Sequence, residues 1–222
     1  MNIQPYLEQI NNLNPLEQVV YFNSDHWVNF DYKNNLVSDE MIFIAHKYAN
    51  HITRGDIINH LRSQHGSLMS GFILTMIWGH GYSENGRADN RGPWKVSNML
   101  NTYDQALTIL ESAKTCLEKN DIHAAHVSFN QMKRCRVNFF SKFLYFLGRS
   151  LNMKKYPLIF DARVAKTISL VNSINQDLCH ILNIEPNQKP EAYVHYVNQM
   201  HEISQTNDVD ADKLELFFFK GL

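Results

Sequence analysis

Cysteine is scarce in this chain. Cys116, Cys135 and Cys179 are the only three, and no two form a Cys-x-x-Cys pair. Three thiolates cannot fill a typical four-ligand iron–sulfur cluster, and no zinc-finger spacing is present. The odd count argues against a disulfide framework, and small buried hydrophobes in a reducing compartment account for all three. Glycine and proline total only 15 of 222 residues while 44% of the chain is hydrophobic, which excludes collagen-like and disordered chains. Long apolar runs are missing too. Stretches such as residues 72–78 fall far short of the roughly 20 residues that span a bilayer, so no membrane partner is expected. Residues 1–5 carry no basic region followed by an apolar stretch, and a cytoplasmic, soluble protein is the expectation.

Several chemical signatures are also lacking. No Gly-x-Gly-x-x-Gly, P-loop, serine elbow or His-Glu-x-x-His occurs, which argues against nucleotide-driven and serine-nucleophile chemistry. There are eleven histidines, but His123 and His126 at i, i+3, and His46 and His51 five apart, have no carboxylate at matching spacing. The acids at 208, 210 and 212 resemble a calcium loop only superficially, lacking its glycine and glutamate. No metal and no cofactor is expected.

What the chain does have is helical periodicity. Ser38 is a potential cap for a helix with Met41, Ile44, Ala45 and Tyr48 inward. Thr53 and Asp56 resemble a capping box. Residues 67–78 read as a buried central helix, and residues 102–118 show an i, i+3, i+4, i+7 stripe. Asp121 caps the next helix. Further helices are predicted at 138–147, 161–182, from Pro190 to 203, and at 210–220. Residues 19–22 and 158–160 are β-prone but too few to build a sheet. The expected fold is an all-α bundle of about ten helices, one domain over 1–222, with two helical lobes (about 1–120 and 121–222) conceivable. Between Gly79 and Lys95 lies a predicted long loop holding four of the nine glycines, with Tyr82 and Trp94 beside Arg87 and Arg91. Its candidate roles are base stacking, a lid, or a connector pinned by Trp94. Phe217, Phe218 and Phe219 read as core closure, with an exposed partner-docking patch as the alternative.

The formal net charge of −1 conceals an asymmetry. Residues 131–166 hold nine basic side chains (Lys133, Arg134, Arg136, Lys142, Arg149, Lys154, Lys155, Arg163 and Lys166) and one acid, Asp161. That window is +8, which leaves −9 for the rest. A basic stripe of this kind suits a nucleic-acid backbone, and a solvated face without a ligand is the alternative. Of the interleaved aromatics Phe139, Phe140, Phe143, Tyr145 and Phe146, most read as core rather than as base platforms. Asp161 precedes a predicted helix and is a natural N-cap; a carboxylate there can also stabilise a developing positive charge on a sugar.

The stretch from Lys133 to Gly148, followed by Leu158-Ile159-Phe160-Asp161-Ala162-Arg163, resembles the helix–hairpin–helix plus Asp signature of the HhH-GPD DNA glycosylases. Within them it is most similar to the prokaryotic 8-oxoguanine-glycosylase-like (OGG-fold) branch, some members of which remove hypermodified cytosines from phage DNA. The resemblance implies a base flipped out of DNA into a pocket between the early helices and the Asp-bearing segment. It implies Asp161 as the catalytic carboxylate, and Arg134, Arg136, Asn138, Lys142 and Arg163 as DNA contacts. Tyr82 and Trp94 are candidates for stacking on the base or filling its gap. Two departures stand out. Arginines replace the hairpin glycines that normally let backbone amides approach a phosphate. The position of the family's Schiff-base lysine, aligned on residues 141–148, falls on Asn138, with Lys142 one turn away. The resemblance therefore implies a monofunctional, monomeric glycosylase without lyase activity. A silent helix–hairpin–helix DNA-binding module and a helical protein-interaction factor are the rivals.

Overall fold

The computed structural model describes residues 3–82, 90–172 and 184–221. Among them are twelve α-helices: α1 Leu7–Asn11, α2 Ser24–Val28, α3 Asn35–Tyr48, α4 Arg54–Arg62, α5 Leu68–His80, α6 Gly92–Met99, α7 Tyr103–Glu118, α8 Ile122–Ser128, α9 Val137–Ser150, α10 Ala162–Asn172, α11 Pro190–Thr206 and α12 Ala211–Lys220. Two short strands, β1 (Val19–Tyr21) and β2 (His51–Thr53), pair antiparallel with Val20 opposite Ile52. On its other side Tyr21 exchanges backbone bonds with Tyr82, at 2.8 and 3.0 Å.

Local signals set most boundaries. The Thr53–Asp56 capping box closes in both directions, with Thr53 N donating to Asp56 at 2.9 Å and Asp56 N to Thr53 Oγ1 at 3.0 Å. Ser67 caps α5, and Asp121 accepts from Ala124 N at 2.8 Å. Helix α3 begins before the expected cap: Asn34, not Ser38, accepts from Leu36 N at 2.9 Å. Asparagine caps as well as serine does, and it stands at the first break in the periodicity. The expected long loop is also shorter. Helix α5 runs on through His80, and Pro93 in the first turn opens α6, which puts Trp94 on a helix. Gly92 is required there, since a Cβ would meet the Trp27 ring at 2.7 Å. Arg87, Cys179 and the end of the helix predicted to 182 lie outside the described residues.

Helix α5 is the hub. Eleven of its thirteen residues are buried, and it packs against α3, α4, α6, α7 and α9. Phe72 meets Phe143 edge-on at 5.4 Å, and Phe129 stacks on Phe140 at 5.0 Å. Phe140, Phe143, Tyr145 and Phe146 are all core, while Phe217 and Phe218 close it at the C-terminal end. The β-prone segment 158–160 joins no sheet. Tyrosine hydroxyls from α11 hold it instead: Tyr193 donates to Leu158 O at 2.8 Å and Tyr196 to Ile159 O at 2.7 Å.

Two histidines are sealed in this core. His126 lies between Phe140 and Tyr193 with neither ring nitrogen paired among the described residues. His60 bonds Ser70 Oγ at 2.7 Å. Burial, reinforced by His123 beside His126 and Lys47 beside His60, lowers each to about 4. The unfolded chain protonates both near pH 6.5, so between about 4 and 6.5 it binds more protons than the folded chain does. Their contribution to stability is therefore complete above pH 6.5 and is lost as pH falls toward 4. At pH 5 each costs about 2 kcal/mol, and thermal scans should show Tm about 8–16 °C below its value at pH 7.5. His126→Phe should remove roughly half of the drop; an unchanged pH profile in that variant would contradict the assignment.

Candidate active site

The hairpin between α8 and α9 sets the site. After a single 3₁₀ turn at Phe129–Gln131, the chain reverses over residues 132–136. Arg134 adopts φ +66°, a left-handed conformation that costs a side-chain-bearing residue roughly 1–2 kcal/mol and that glycine adopts freely. The arginine thus holds a backbone conformation that glycine adopts more readily. Its guanidinium lies 5.3 Å from the Trp94 ring centre, and Trp94 is 51% exposed. Arg136 is exposed at the N-cap of α9.

One turn into α9, Ser141 and Lys142 face inward. Ser141 Oγ accepts from Phe160 N at 3.1 Å, and together with Tyr193 and Tyr196 it fixes the extended segment that ends at Asp161. Asp161 Oδ1 accepts from Arg163 N at 3.1 Å and Val164 N at 3.2 Å, capping α10. Its other oxygen lies 3.1 Å from Lys142 Nζ, and that ammonium also donates to Asn138 O at 2.6 Å. Burial pushes the Asp161 carboxyl up, but the Lys142 charge and the two cap amides outweigh it, so it sits below the usual carboxylate range. Asp161 is therefore ionised at neutral pH, bonded through one oxygen to the cap and through the other to an amine.

This pair opens onto a cavity of about 330 Å³ lined by Gln18, Val19, Val20, Trp78, Gly79, Gly81, Tyr82, Lys142, Asp161, Arg163 and Phe219. The N-terminal strand, the end of α5, α9, the start of α10 and the end of α12 each supply a wall. Arg163 is exposed at the rim, its guanidinium 5.0 Å from the Phe219 ring centre. Gly79 leaves room for the lysine: a Cβ there would lie 3.3 Å from Lys142 Cδ.

The residues singled out from the sequence fall into two groups. Asp161, Lys142, Arg163 and Tyr82 surround the cavity, with Asn138 contributing its carbonyl. Arg134, Arg136 and Trp94 form a separate exposed face at the hairpin, and Trp94 does not line the cavity. Phe139 lies between the groups, with Lys142 Nζ and Lys95 Nζ each 5.9 Å from its ring centre. Lys142 does not fit its expected role as a phosphate contact. Its side chain is 8% exposed, and its ammonium is directed inward by two acceptors. Gln18, Trp78 and Phe219 were not among the expected site residues. Each looks like ordinary strand or core sequence, and only the tertiary fold assembles them.

Residues 13–219 match the family described as "Putative 8-oxoguanine DNA glycosylase OGG-like protein". No curated protein and no solved structure matches the chain.

Proposed function

Because the chain belongs to the OGG-like family of DNA glycosylases, we propose that it excises a modified base through the Lys142–Asp161 pair, with Lys142 as the nucleophile. The single observation that carries this reading is the amine held 3.1 Å from an ionised carboxylate on the wall of a base-sized cavity. The target nucleotide leaves the duplex stack, at a cost of a few kcal/mol, and its base enters the cavity. Cleavage of the bond between C1′ and the base builds positive charge on the sugar, and the Asp161 carboxylate stabilises it. The bonding pair leaves with the base, which takes a proton from the Lys142 ammonium. The freed amine bonds to C1′; ring opening then gives a Schiff base. β-Elimination expels the 3′ phosphate, and water releases the enzyme. This departs from the expectation of a monofunctional enzyme, which rested on Asn138 aligning with the lysine position. Monofunctional hydrolysis is the second reading, favoured by the same ion pair, because it keeps the amine protonated at rest.

Arg134 and Arg136 hold backbone phosphate on the hairpin face, while Trp94, stacked on Arg134, meets the duplex near the vacated position and Tyr82 meets the flipped base. A cavity of about 330 Å³ lies at the small end of ligand pockets, which run from roughly 300 to 1,000 Å³. It suits a single base better than one carrying a sugar. An oxidised purine is therefore the first substrate to test, and glucosylated hydroxymethylcytosine, the substrate of an antiviral role, the second.

The test incubates the protein with duplexes carrying 8-oxoguanine, an alkylated base, hydroxymethylcytosine, its glucosylated form, or no modification. Strand cleavage at one modified base without alkali is expected. Cleavage only after alkali would favour monofunctional hydrolysis. Salt-sensitive binding without any abasic site would favour the silent module, and absence of DNA binding the interaction factor.

A further inference from the structure

We infer that Gln18 is a specificity-determining residue that donates a hydrogen bond to an exocyclic keto oxygen of the base in the cavity. This rests on the glycosylase reading of the same cavity and adds which face of the base is read. Gln18 stands just before β1 and is half-buried on the cavity wall. Arg54 Nε lies 2.7 Å from its side-chain oxygen. An arginine Nε carries only a donor proton, so the atom facing it must be the carboxamide oxygen. The orientation of the amide follows from chemistry: the oxygen faces Arg54 and the NH₂ group faces away from it. That NH₂ has no acceptor among the described residues.

Arg54 is held firmly enough to fix this orientation. Its side chain is fully buried, and it bonds Glu215 through both terminal nitrogens at 2.6 and 3.4 Å. The rings of Trp78 and Tyr145 lie 5.3 and 5.2 Å from its guanidinium carbon. Rotating the Gln18 amide would set its NH₂ against a guanidinium, donor against donor. Arg54 is therefore a positioning residue, and Gln18 meets the base as a donor only. Trp78 lines the same cavity with its ring, its indole N–H being buried away from the cavity surface. A wall whose amide offers only a donor suits a base edge that presents an acceptor. Keto-bearing bases offer that edge, whereas an amino group at the same position would be a donor facing a donor.

The experiment measures single-turnover excision from duplexes containing 8-oxohypoxanthine or 8-oxoadenine, which share hydrogen at position 2 and differ at position 6 by keto against amino. It uses the full chain, Gln18→Glu and Gln18→Met, together with affinity for a duplex carrying a tetrahydrofuran abasic analogue, which has no base. Glutamate keeps an acceptor for Arg54 but presents no donor; methionine keeps the length and loses both polar ends. The expected result is at least a tenfold keto preference in the unmodified chain. That preference should fall at least tenfold in Gln18→Glu and partially in Gln18→Met, with abasic-analogue affinity within about twofold throughout. An active chain whose preference is unaltered in Gln18→Glu, or rates that fall equally on both bases together with analogue affinity, would overturn the inference while leaving the glycosylase reading intact. An unmodified chain that releases neither base would overturn the oxidised-purine reading and this inference with it.

Discussion

Asp161→Asn is expected to slow base release by about 10²–10³-fold, the loss typical when one preorganised electrostatic group is removed from a developing charge. The substitution is well suited to isolating charge. Asparagine caps a helix as well as aspartate does, so the bonds from Arg163 N and Val164 N survive and α10 keeps its start. Lys142 loses its counter-ion, and the sugar loses the carboxylate that opposes its positive charge. Folding linkage works in the same direction. A carboxyl whose folded pKa lies below its unfolded value contributes stability above the unfolded pKa, and that contribution disappears as pH falls through the folded pKa. Asp161→Asn therefore forfeits a modest contribution at pH 7 and nothing at strongly acid pH. Affinity for substrate DNA should stay within a few fold, since a negative charge near phosphates has been removed. Single-turnover excision and binding on the same preparation check both halves. Normal excision by Asp161→Asn would remove Asp161 from the reacting centre.

Glu215→Ala is expected to cost about 3–5 kcal/mol, because it leaves the Arg54 guanidinium buried without its counter-charge. Both side chains are at 0% exposure and meet at 2.6 Å. Such a loss corresponds to a Tm lower by on the order of 10 °C for a chain of this size. The paired replacement Arg54→Met with Glu215→Leu should recover most of it, since a buried ion pair is often no better than an apolar pair of similar volume. If the pair supports Gln18, as inferred above, the double variant regains stability but not base selectivity. Thermal and denaturant unfolding of the three proteins decides the matter. A loss below about 1 kcal/mol in Glu215→Ala would mean that water reaches Arg54.

How much of this was legible in the sequence depends on how local each signal is. Thr53 with Asp56, Ser67, Asp121 and Pro190 act within one helical turn, and each marks its helix. Asp161 reads as an N-cap for the same reason. The short helices α1 and α2 escape because five residues carry too little periodicity to register. Helix α6 was hidden by the glycines before it; the sequence suggested a loop, while Pro93 and the fit of Gly92 against Trp27 made a helix. The Lys142–Asp161 contact spans nineteen residues and depends on three hydroxyls, from Ser141, Tyr193 and Tyr196, that fix the segment between them. Periodicity carries no trace of such an arrangement. The same holds for Arg54, whose partner Glu215 lies 161 residues away, and for Asp212. That acid reads as a first-turn residue of the last helix, but it is buried against the Tyr145 hydroxyl at 3.2 Å and Arg149 at 3.5 Å. A basic window in the sequence likewise does not separate its exposed members from a buried one, and Lys142 is the exception within it.

The central claim is that Lys142 and Asp161 form the reacting centre, and borohydride trapping on an 8-oxoguanine duplex tests it most directly. Reduction of a Schiff base joins protein to DNA irreversibly. The account predicts a covalent adduct with the unmodified chain and none with Lys142→Gln. An unmodified chain that releases the base without forming an adduct, or an adduct that persists in Lys142→Gln, would contradict it.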